Sequence, residues 1–292
     1  MIITIMSCKK NISRQKAIRE TWLKDLKPPH QAFFFVGDSL EDKLEEDTIH
    51  LKCPDDYRSL PIKQFKCLEF INNNFDYDYT FNCDDDTYVV IDRLLNNNFK
   101  DYVGYPSVSY DGSYRYAYGG SGFILSKNAI SKMMIFKDSK IVYTHPWADS
   151  LFGLLATILK IDFTQDLKFN MGKYNNGIKQ LIIKNDGIEF KGEGTPIAIP
   201  NKTNNLITSH FINEENFYKI YNHFYGEEKI ENKYIIKSEF TGIDFIFKEI
   251  EGKWYYEFNN TKEGPFEYLE YAEHHARKKD ELWKRNNLIS ES

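Results

Sequence analysis

The 292-residue chain predicts an α/β fold with a mainly parallel central sheet, followed by a small C-terminal α+β appendage. Three observations carry that expectation. Short apolar runs alternate with helix-period segments over roughly the first 165 residues. The third such run ends in three aspartates, at the carboxyl end of a strand, where sheets of this class hold their ligands. After Gly226 the pattern changes to alternating strands and a charged helix, so the expected domains are 1–227 and 228–292.

Ile2 to Met6 is a continuous apolar strand, and a helix is expected from about Ser13 to Leu26. Gln31 to Val36, containing Phe33-Phe34-Phe35, is a second buried strand, ended by Gly37-Asp38. Leu60-Pro61 opens a helix in which Ile62, Phe65, Lys66, Leu68, Glu69 and Phe70 run at helical spacing, with proline in its tolerated first turn. Tyr79 to Cys83 is the third strand. This β-α-β-α-β order predicts helices on both faces of the sheet. Ser126 is placed to cap a short helix reaching Met134, and Pro146 to Lys160 forms another with Leu151, Leu154, Leu155, Ile158 and Leu159 inward. Asn170 to Asn205, rich in glycine and asparagine, reads as hairpins and loops, a length typical of a lid, an insertion or a substrate-binding excursion. Asn213-Glu214-Glu215 starts a last helix to about Tyr225. In the appendage, Tyr234 to Phe247 and Trp254 to Phe258 alternate as antiparallel strands, Asn259-Asn260 makes a turn, and Phe266 to Lys284 is a charged helix. Trp254-Tyr255-Tyr256 and Gly264-Pro265-Phe266 faintly resemble small peptide-binding modules, with packing as the plainer use.

Composition removes several function classes. Apolar residues make up 41% of the chain, enough for a substantial core and too many for a disordered one. The net charge of −5 argues against nucleic acid or an anionic membrane as the main partner. No apolar run approaches the roughly 18 residues of a membrane span, and Met1 to Met6 is too short for a signal-peptide core. The expected location is therefore the cytoplasm. Cys8, Cys53, Cys67 and Cys83 form no CxxC pair and are expected as free thiols. The sequons at Asn11, Asn201 and Asn259 would matter only in a secreted chain.

Five segments carry chemistry. Asp84-Asp85-Asp86 places carboxylates that repel by order 1 kcal/mol or more per pair, a penalty a divalent cation removes. Oxygen ligands suit Mg²⁺ or Mn²⁺ rather than zinc; a solvated acidic turn is the alternative. An aspartyl-phosphatase register fails, because Tyr88 stands where Thr or Val is needed. Arg14 and Arg19 lie on the helix after the first strand, where basic groups and backbone N–H groups meet a diphosphate; alone, they would be a solvated face. Gly119, Gly120 and Gly122 allow close backbone approach to a ligand, or simply a tight turn. Asp149 sits in the first turn of an apolar helix, where a dipole-stabilising carboxylate is also at home. His210, in Thr208-Ser209-His210-Phe211, is either structural or a ligand.

In this order the segments resemble glycosyltransferase family 31, the β-1,3-galactosyltransferases and their Fringe relatives. The resemblance covers about residues 1–225. It rests on Arg-Gln-x-x-Ile-Arg-x-Thr-Trp, Phe-Phe-Val-Gly, Asp-Asp-Asp-x-Tyr-Val, Tyr-x-x-Gly-Gly-x-Gly-Phe-x-Leu-Ser, x-Asp-x-x-x-Gly and Ser-His-Phe. It implies a GT-A-type, Rossmann-like nucleotide-sugar-binding domain and a UDP-sugar donor, with Mn²⁺ as cofactor and Mg²⁺ as the substitute. On the matching positions it implies Asp86 and His210 as metal ligands, Asp84 and Asp85 as the nucleotide motif, and Arg14 and Arg19 beside the UDP. Gly119, Gly120 and Gly122 then flank the donor sugar, and Asp149 is the catalytic base. The implied reaction is inverting transfer of galactose or N-acetylglucosamine to a glycan hydroxyl, giving a β-linkage, β-1,3 in the family's usual form. Trp147, Tyr118 and Tyr116 are candidate acceptor platforms, since sugar faces stack on aromatics. The family's usual members are anchored and lumenal, and an acidic residue commonly precedes the base where this chain has Ala148. The competing expectation is a catalytically silent scaffold that binds glycan or a protein partner through 228–292.

Overall fold

A computed structural model describes residues 1–171, 180–184, 187–191, 200, 204–225, 230–237, 244–250, 253–258 and 261–288. The chain divides into two units, Met1–Tyr225 and Gly226–Ser292. The first begins with β1 (Ile2–Met6), α1 (Ile12–Glu20), β2 (Gln31–Val36), β3 (Lys43–Glu45), β4 (Thr48–His50), α2 (Leu60–Asn74) and β5 (Tyr79–Asp84). It continues through β6 (Tyr88–Val89), α3 (Ile91–Leu95), β7 (Tyr102–Gly104), β8 (Pro106–Val108), β9 (Arg115–Ala117), β10 (Phe123–Ser126) and α4 (Lys127–Met133). Next come α5 (Lys140–Thr144), α6 (Ala148–Ile158), β11 (Phe163–Gln165) and β12 (Phe169–Asn170). The antiparallel pair β13 (Gln180–Lys184) and β14 (Gly187–Lys191), then β15 (Thr208–Ser209) and α7 (Glu214–Tyr225), complete it.

Eight strands make the central sheet, in the order β11-β7-β10-β5-β1-β2-β4-β3. Strand β1 runs parallel to β2 and β5, β2 to β4, and β7 to β11. Only β10, between β5 and β7, and the edge strand β3 run antiparallel to their neighbours. The α/β class with a mainly parallel sheet is therefore as expected. Strand side chains alternate between faces, so each apolar run serves two cores. Ile3, Ile5, Phe34, Phe81 and Ile124 pack with Ile18 of α1 and with Phe217 and Ile220 of α7. Ile2, Phe33, Phe35, Phe123 and Leu125 pack with Phe65, Leu68 and Ile71 of α2 and with Leu151, Phe152 and Leu155 of α6. Met6 pairs with both Phe35 and Asp84, which brings the strand ends level beneath one cleft.

The first helix is shorter than its apolar spacing predicts. Thr21 leaves helical geometry (φ −119°, ψ −116°), and the chain resumes as a 3₁₀ turn from Trp22 to Asp25. Ser126 caps α4 as expected, its Oγ accepting from Ala129 N at 3.0 Å. Helix α6 starts at Ala148 because Trp147 is extended. The strands β6, β12 and β15 form a separate three-stranded sheet, too short to show a period in sequence. Most of the Asn170–Asn205 reading, the Asn201 and Asn259 sequons and the Asn259-Asn260 turn lie outside the described residues.

The second unit is an antiparallel meander of β16 (Ile230–Lys237), β17 (Asp244–Ile250), β18 (Lys253–Phe258) and β19 (Thr261–Phe266), followed by α8 (Leu269–Leu288). Phe245, Phe247, Tyr256 and Phe258 pack on Ala272 and Ala276 of α8, with Trp254 and Phe266 at the margin. The two aromatic motifs of this unit thus serve its packing. The four cysteines are unbridged, Cys8 partly exposed and the others buried. Among the described residues no helix is long and apolar enough to cross a membrane.

Candidate active site

The site grows from the turn after β5. Its three aspartates point to different neighbours. Asp85 N donates to Met6 O at 3.0 Å, and Thr87 N returns to Asp84 O at 3.2 Å. Both oxygens of the Asp85 carboxylate are engaged. Ser7 Oγ (2.7 Å) and Asn11 Nδ2 (2.8 Å) donate to Oδ2, and Arg14 donates to Oδ1 (3.0 Å). Gln15 supports this arrangement by donating to Ser7 Oγ at 2.9 Å. Asp85 therefore ties the β1–α1 loop to the β5 turn at the wall of the cleft.

Asp84 and Asp86 instead meet His210. Each offers one ligand atom, and these atoms lie within 4.8 Å of one another. The histidine arrives from the far end of the unit. Strand β15 pairs with β6, Ile212 N donates to Asp86 O (2.9 Å), and Thr208 Oγ1 donates to Ser121 O (2.6 Å). Thr87 Oγ1 donates to Gly120 O at 2.6 Å, which ties the glycine segment to the aspartate turn. Gly120 is required by this packing, since a Cβ there would fall 2.2 Å from His210 Cε1 and 2.4 Å from Nε2.

His210 Nε2 lies 3.0 Å from Asp86 Oδ1, yet Asp86 Oδ1 and His210 Nδ1 are both buried without a hydrogen-bond partner. Burial, together with Asp86 and opposed by His210, holds the Asp84 carboxyl well above the usual carboxylate range. Two carboxylates and an imidazole with partnerless buried atoms form a donor set that fits a divalent cation.

Asp149 lies in the first turn of α6, with Oδ2 accepting from Gly119 N (3.0 Å) and Oδ1 from Ser150 N (2.8 Å). Burial pushes its carboxyl up, although these N–H groups and His145 pull the other way. One turn on, α6 packs directly against β9, where a Cβ on Gly153 would lie 2.3 Å from Tyr116 Cβ. Gly122 has φ +83°, and a Cβ there would meet the Phe81 ring at 2.4 Å. The turn and the core both require glycine at this position.

Arg14 reaches the aspartates, with NH1 3.9 Å from Asp86 Oδ2 and Nε 4.0 Å from Glu214. Arg19 is not brought to them. It donates to both oxygens of Asp47 (2.7 and 2.8 Å) and lies over the Phe34 ring, so its guanidinium is held by β2 and the β3–β4 turn rather than by the aspartates. A helix that returns antiparallel to its strand carries its last turn away from the strand's carboxyl end. Arg19→Ala should therefore cost less than about 1 kcal/mol in a urea melt, as for a half-exposed pair, and leave nucleotide binding at wild-type strength.

A cavity of about 320 Å³ adjoins the cluster, lined by Asn11, Arg14, Tyr57, Lys63, Asp84 and Asp86 among others. Lys63, Asp55 and Tyr57 were not singled out by the sequence reading. Lys63 donates to Asp55 Oδ1 (2.7 Å) and to Ser7 O (2.8 Å), and it is buried. The signal was there: Lys63 shares a helix face with Cys67 and Ile71, where a lysine is out of place.

Residues 13–109 match the protein family described as Galactosyltransferase. That match, to less than half of the chain, supports a glycosyltransferase. Within that class it bears out the family-31 galactosyltransferase resemblance, on a segment holding Arg14, Arg19 and Asp84 to Asp86. Gly119, Asp149 and His210 lie beyond the matched segment. Among solved structures, the glycosyltransferase GlyE of Streptococcus pneumoniae TIGR4 is similar at 12% identity and a TM-score of 0.37, over 58% of this chain and 46% of GlyE. The galactosyltransferase LgtC, solved with donor and acceptor sugar analogues, is similar at 11% identity and a TM-score of 0.39, over 59% of this chain and 75% of LgtC. Likenesses this slight carry no weight for fold or function.

Proposed function

We propose that the Met1–Tyr225 unit is an inverting, metal-dependent glycosyltransferase that moves galactose or N-acetylglucosamine from a UDP-sugar to a glycan hydroxyl, forming a β-linkage, β-1,3 by the family's pattern. The observation that supports this best is the opposition of two carboxylate systems across the glycine segment. Asp84 and Asp86 converge with His210 behind Gly120, while Asp149 holds the N–H of Gly119.

Asp86, His210 and Asp84 would hold the cation, Mn²⁺ or Mg²⁺, which when bound supplies Lewis-acid stabilisation of the departing diphosphate. Arg14 adds a second positive charge beside the diphosphate, kept in place by Asp85. Asp149, on the other side of the glycine segment, takes the proton of the acceptor hydroxyl as its oxygen attacks the anomeric carbon. The C–O bond to UDP breaks as the new one forms, so one displacement inverts the configuration. The two N–H donors on Asp149 fix the carboxylate's direction and leave a lone pair on each oxygen for that proton.

Turnover of a panel of UDP-sugars with and without Mn²⁺ tests the reading. A protein that neither binds UDP with Mn²⁺ nor consumes any donor would overturn it. His210→Ala and Gly120→Ala should each weaken Mn²⁺-dependent UDP binding about 10–100-fold, the first by removing a ligand and the second by displacing it. Calorimetric titration of Mn²⁺–UDP reads this directly, and unchanged binding in His210→Ala would remove the histidine from the metal site.

A further inference from the structure

A second cavity, of about 540 Å³, opens on the other side of Trp147 and carries features the transfer chemistry does not need. Trp147 and Ser150 form its near wall, two residues before and one residue after Asp149. Tyr114 and Tyr116 form another wall, from the β8–β9 hairpin. Trp147 also meets Tyr57 edge-on, ring centroids 6.2 Å apart, and Tyr57 lines the cavity beside the aspartates. The two cavities thus adjoin through one aromatic pair, whose Trp147 is two residues before Asp149 in the chain.

The hairpin tip is the unusual part. Tyr110 is fully exposed, and Val108 and Trp147 are each 53% exposed. The tip is nonetheless built firmly: Ser109 Oγ and Ser113 Oγ each donate to Asp111 Oδ1 at 2.7 Å, and Ser113 N donates to the same oxygen at 3.1 Å. Gly112 takes φ +73° to close the turn. Folding gains nothing from presenting an aromatic ring to water on an ordered turn. At the far end, Gly153 seats β9 directly on α6, so the hairpin's rings stand at a set distance from Asp149.

The cavity is also nearly free of net charge. Among the described residues its one carboxylate, Asp111, is committed to the serines, and neither lysine nor arginine lines it. His145 is engaged between Trp147 O (2.8 Å, Nδ1) and Tyr114 OH (3.4 Å, Nε2), and Tyr114 OH also meets Ser150 Oγ at 2.7 Å. Aromatic faces with a few hydroxyl groups suit the apolar C–H faces and hydroxyls of neutral sugars, and the volume lies in the roughly 300–1,000 Å³ range of extended ligand sites.

We infer that the acceptor is an uncharged oligosaccharide of at least two sugars. Its terminal sugar packs on Trp147 and Tyr116 beside Asp149, and an inner sugar packs on Tyr110 at the hairpin tip. This rests on the transfer reading for what happens at Asp149, but not for the binding itself.

The test is therefore binding, by calorimetry and saturation-transfer NMR without donor or metal, using galactose, lactose, lacto-N-tetraose and sialylated lacto-N-tetraose. Affinity should rise roughly tenfold from galactose to the neutral tetrasaccharide, the size of one added aromatic contact. The sialylated form should bind no better than lactose. Tyr110→Ala should reduce tetrasaccharide affinity to that of galactose, Tyr110→Phe should restore it, and Trp147→Ala should weaken every neutral ligand. Equal affinity for galactose and lacto-N-tetraose, a preference for the sialylated form, or a tetrasaccharide indifferent to Tyr110→Ala overturns the inference. Mn²⁺–UDP titration of the same samples reports separately on the transfer reading, which can fail while the oligosaccharide groove stands.

Discussion

Asp149→Asn should lower turnover about 10²- to 10⁴-fold, the usual worth of a positioned general base, while Mn²⁺-dependent UDP binding stays at wild-type strength. Asparagine fills the same space and keeps one acceptor for the N–H groups of Gly119 and Ser150. The hydrogen bond it forfeits should cost only about 1 kcal/mol of stability, so a thermal melt separates lost chemistry from lost folding. The pH profile is a second readout. Burial raises the Asp149 carboxyl above its ordinary value. Because the base works deprotonated, kcat/KM should climb as pH rises through that raised value. The acid limb should then lie above that of an ordinary aspartate. An Asp149→Asn enzyme with wild-type turnover, or an acid limb no higher than an ordinary aspartate's, would exclude Asp149 as the base.

The largest effect on stability should come from Lys63→Met. Lys63 and Asp55 are 2% and 4% exposed at their side chains and 2.7 Å apart. Removing the lysine leaves a buried carboxylate without its charge partner, and such losses cost about 3–5 kcal/mol. The double variant Lys63→Met/Asp55→Asn should recover part of that, since it also removes the stranded charge. Urea melts of wild type, Lys63→Met, Asp55→Asn and the double variant decide it, and additive single effects would show that the two groups are not coupled. Burial pushes the Asp55 carboxyl up, but hydrogen bonding to Lys63 and its charge, with N–H groups of Gly37 and Lys9, outweigh this and hold it below the usual value. A carboxyl depressed by folding stabilises the native state above its unfolded value, near pH 4, and the contribution fades as pH falls through the folded one. Acid should therefore narrow the gap between wild type and Lys63→Met, and neutral pH should restore it.

The sequence carried some parts of the fold and site plainly, and others not at all. Strands β1, β2 and β5 are legible because a buried parallel strand is a continuous apolar run, and Leu60-Pro61 marks α2 because proline suits a first turn. Strands β6, β9 and β15 are two or three residues long and leave no period, yet they carry the turn, the hairpin and the histidine into place. Lys63 lies on the helix face that the core buries, and which face of a mixed helix is buried is set by packing.

By itself, then, the amino-acid order determined the alternating strands, the aspartate run at a strand's carboxyl end, and a carboxylate in a helix's first turn. All of these are local patterns, set by the backbone period and by which groups sit side by side in the chain. Tertiary structure alone decided which aspartates gather at the histidine. Asp85 turns back to Ser7, Asn11 and Arg14, whereas Asp84 and Asp86 turn toward His210. It also tied Arg19 to Asp47 instead of to the aspartates, and it seated the Tyr110 hairpin on α6, the helix that carries Asp149. The physical reason is that strand pairing and close packing join residues distant in sequence, and only those contacts set the direction in which a side chain points.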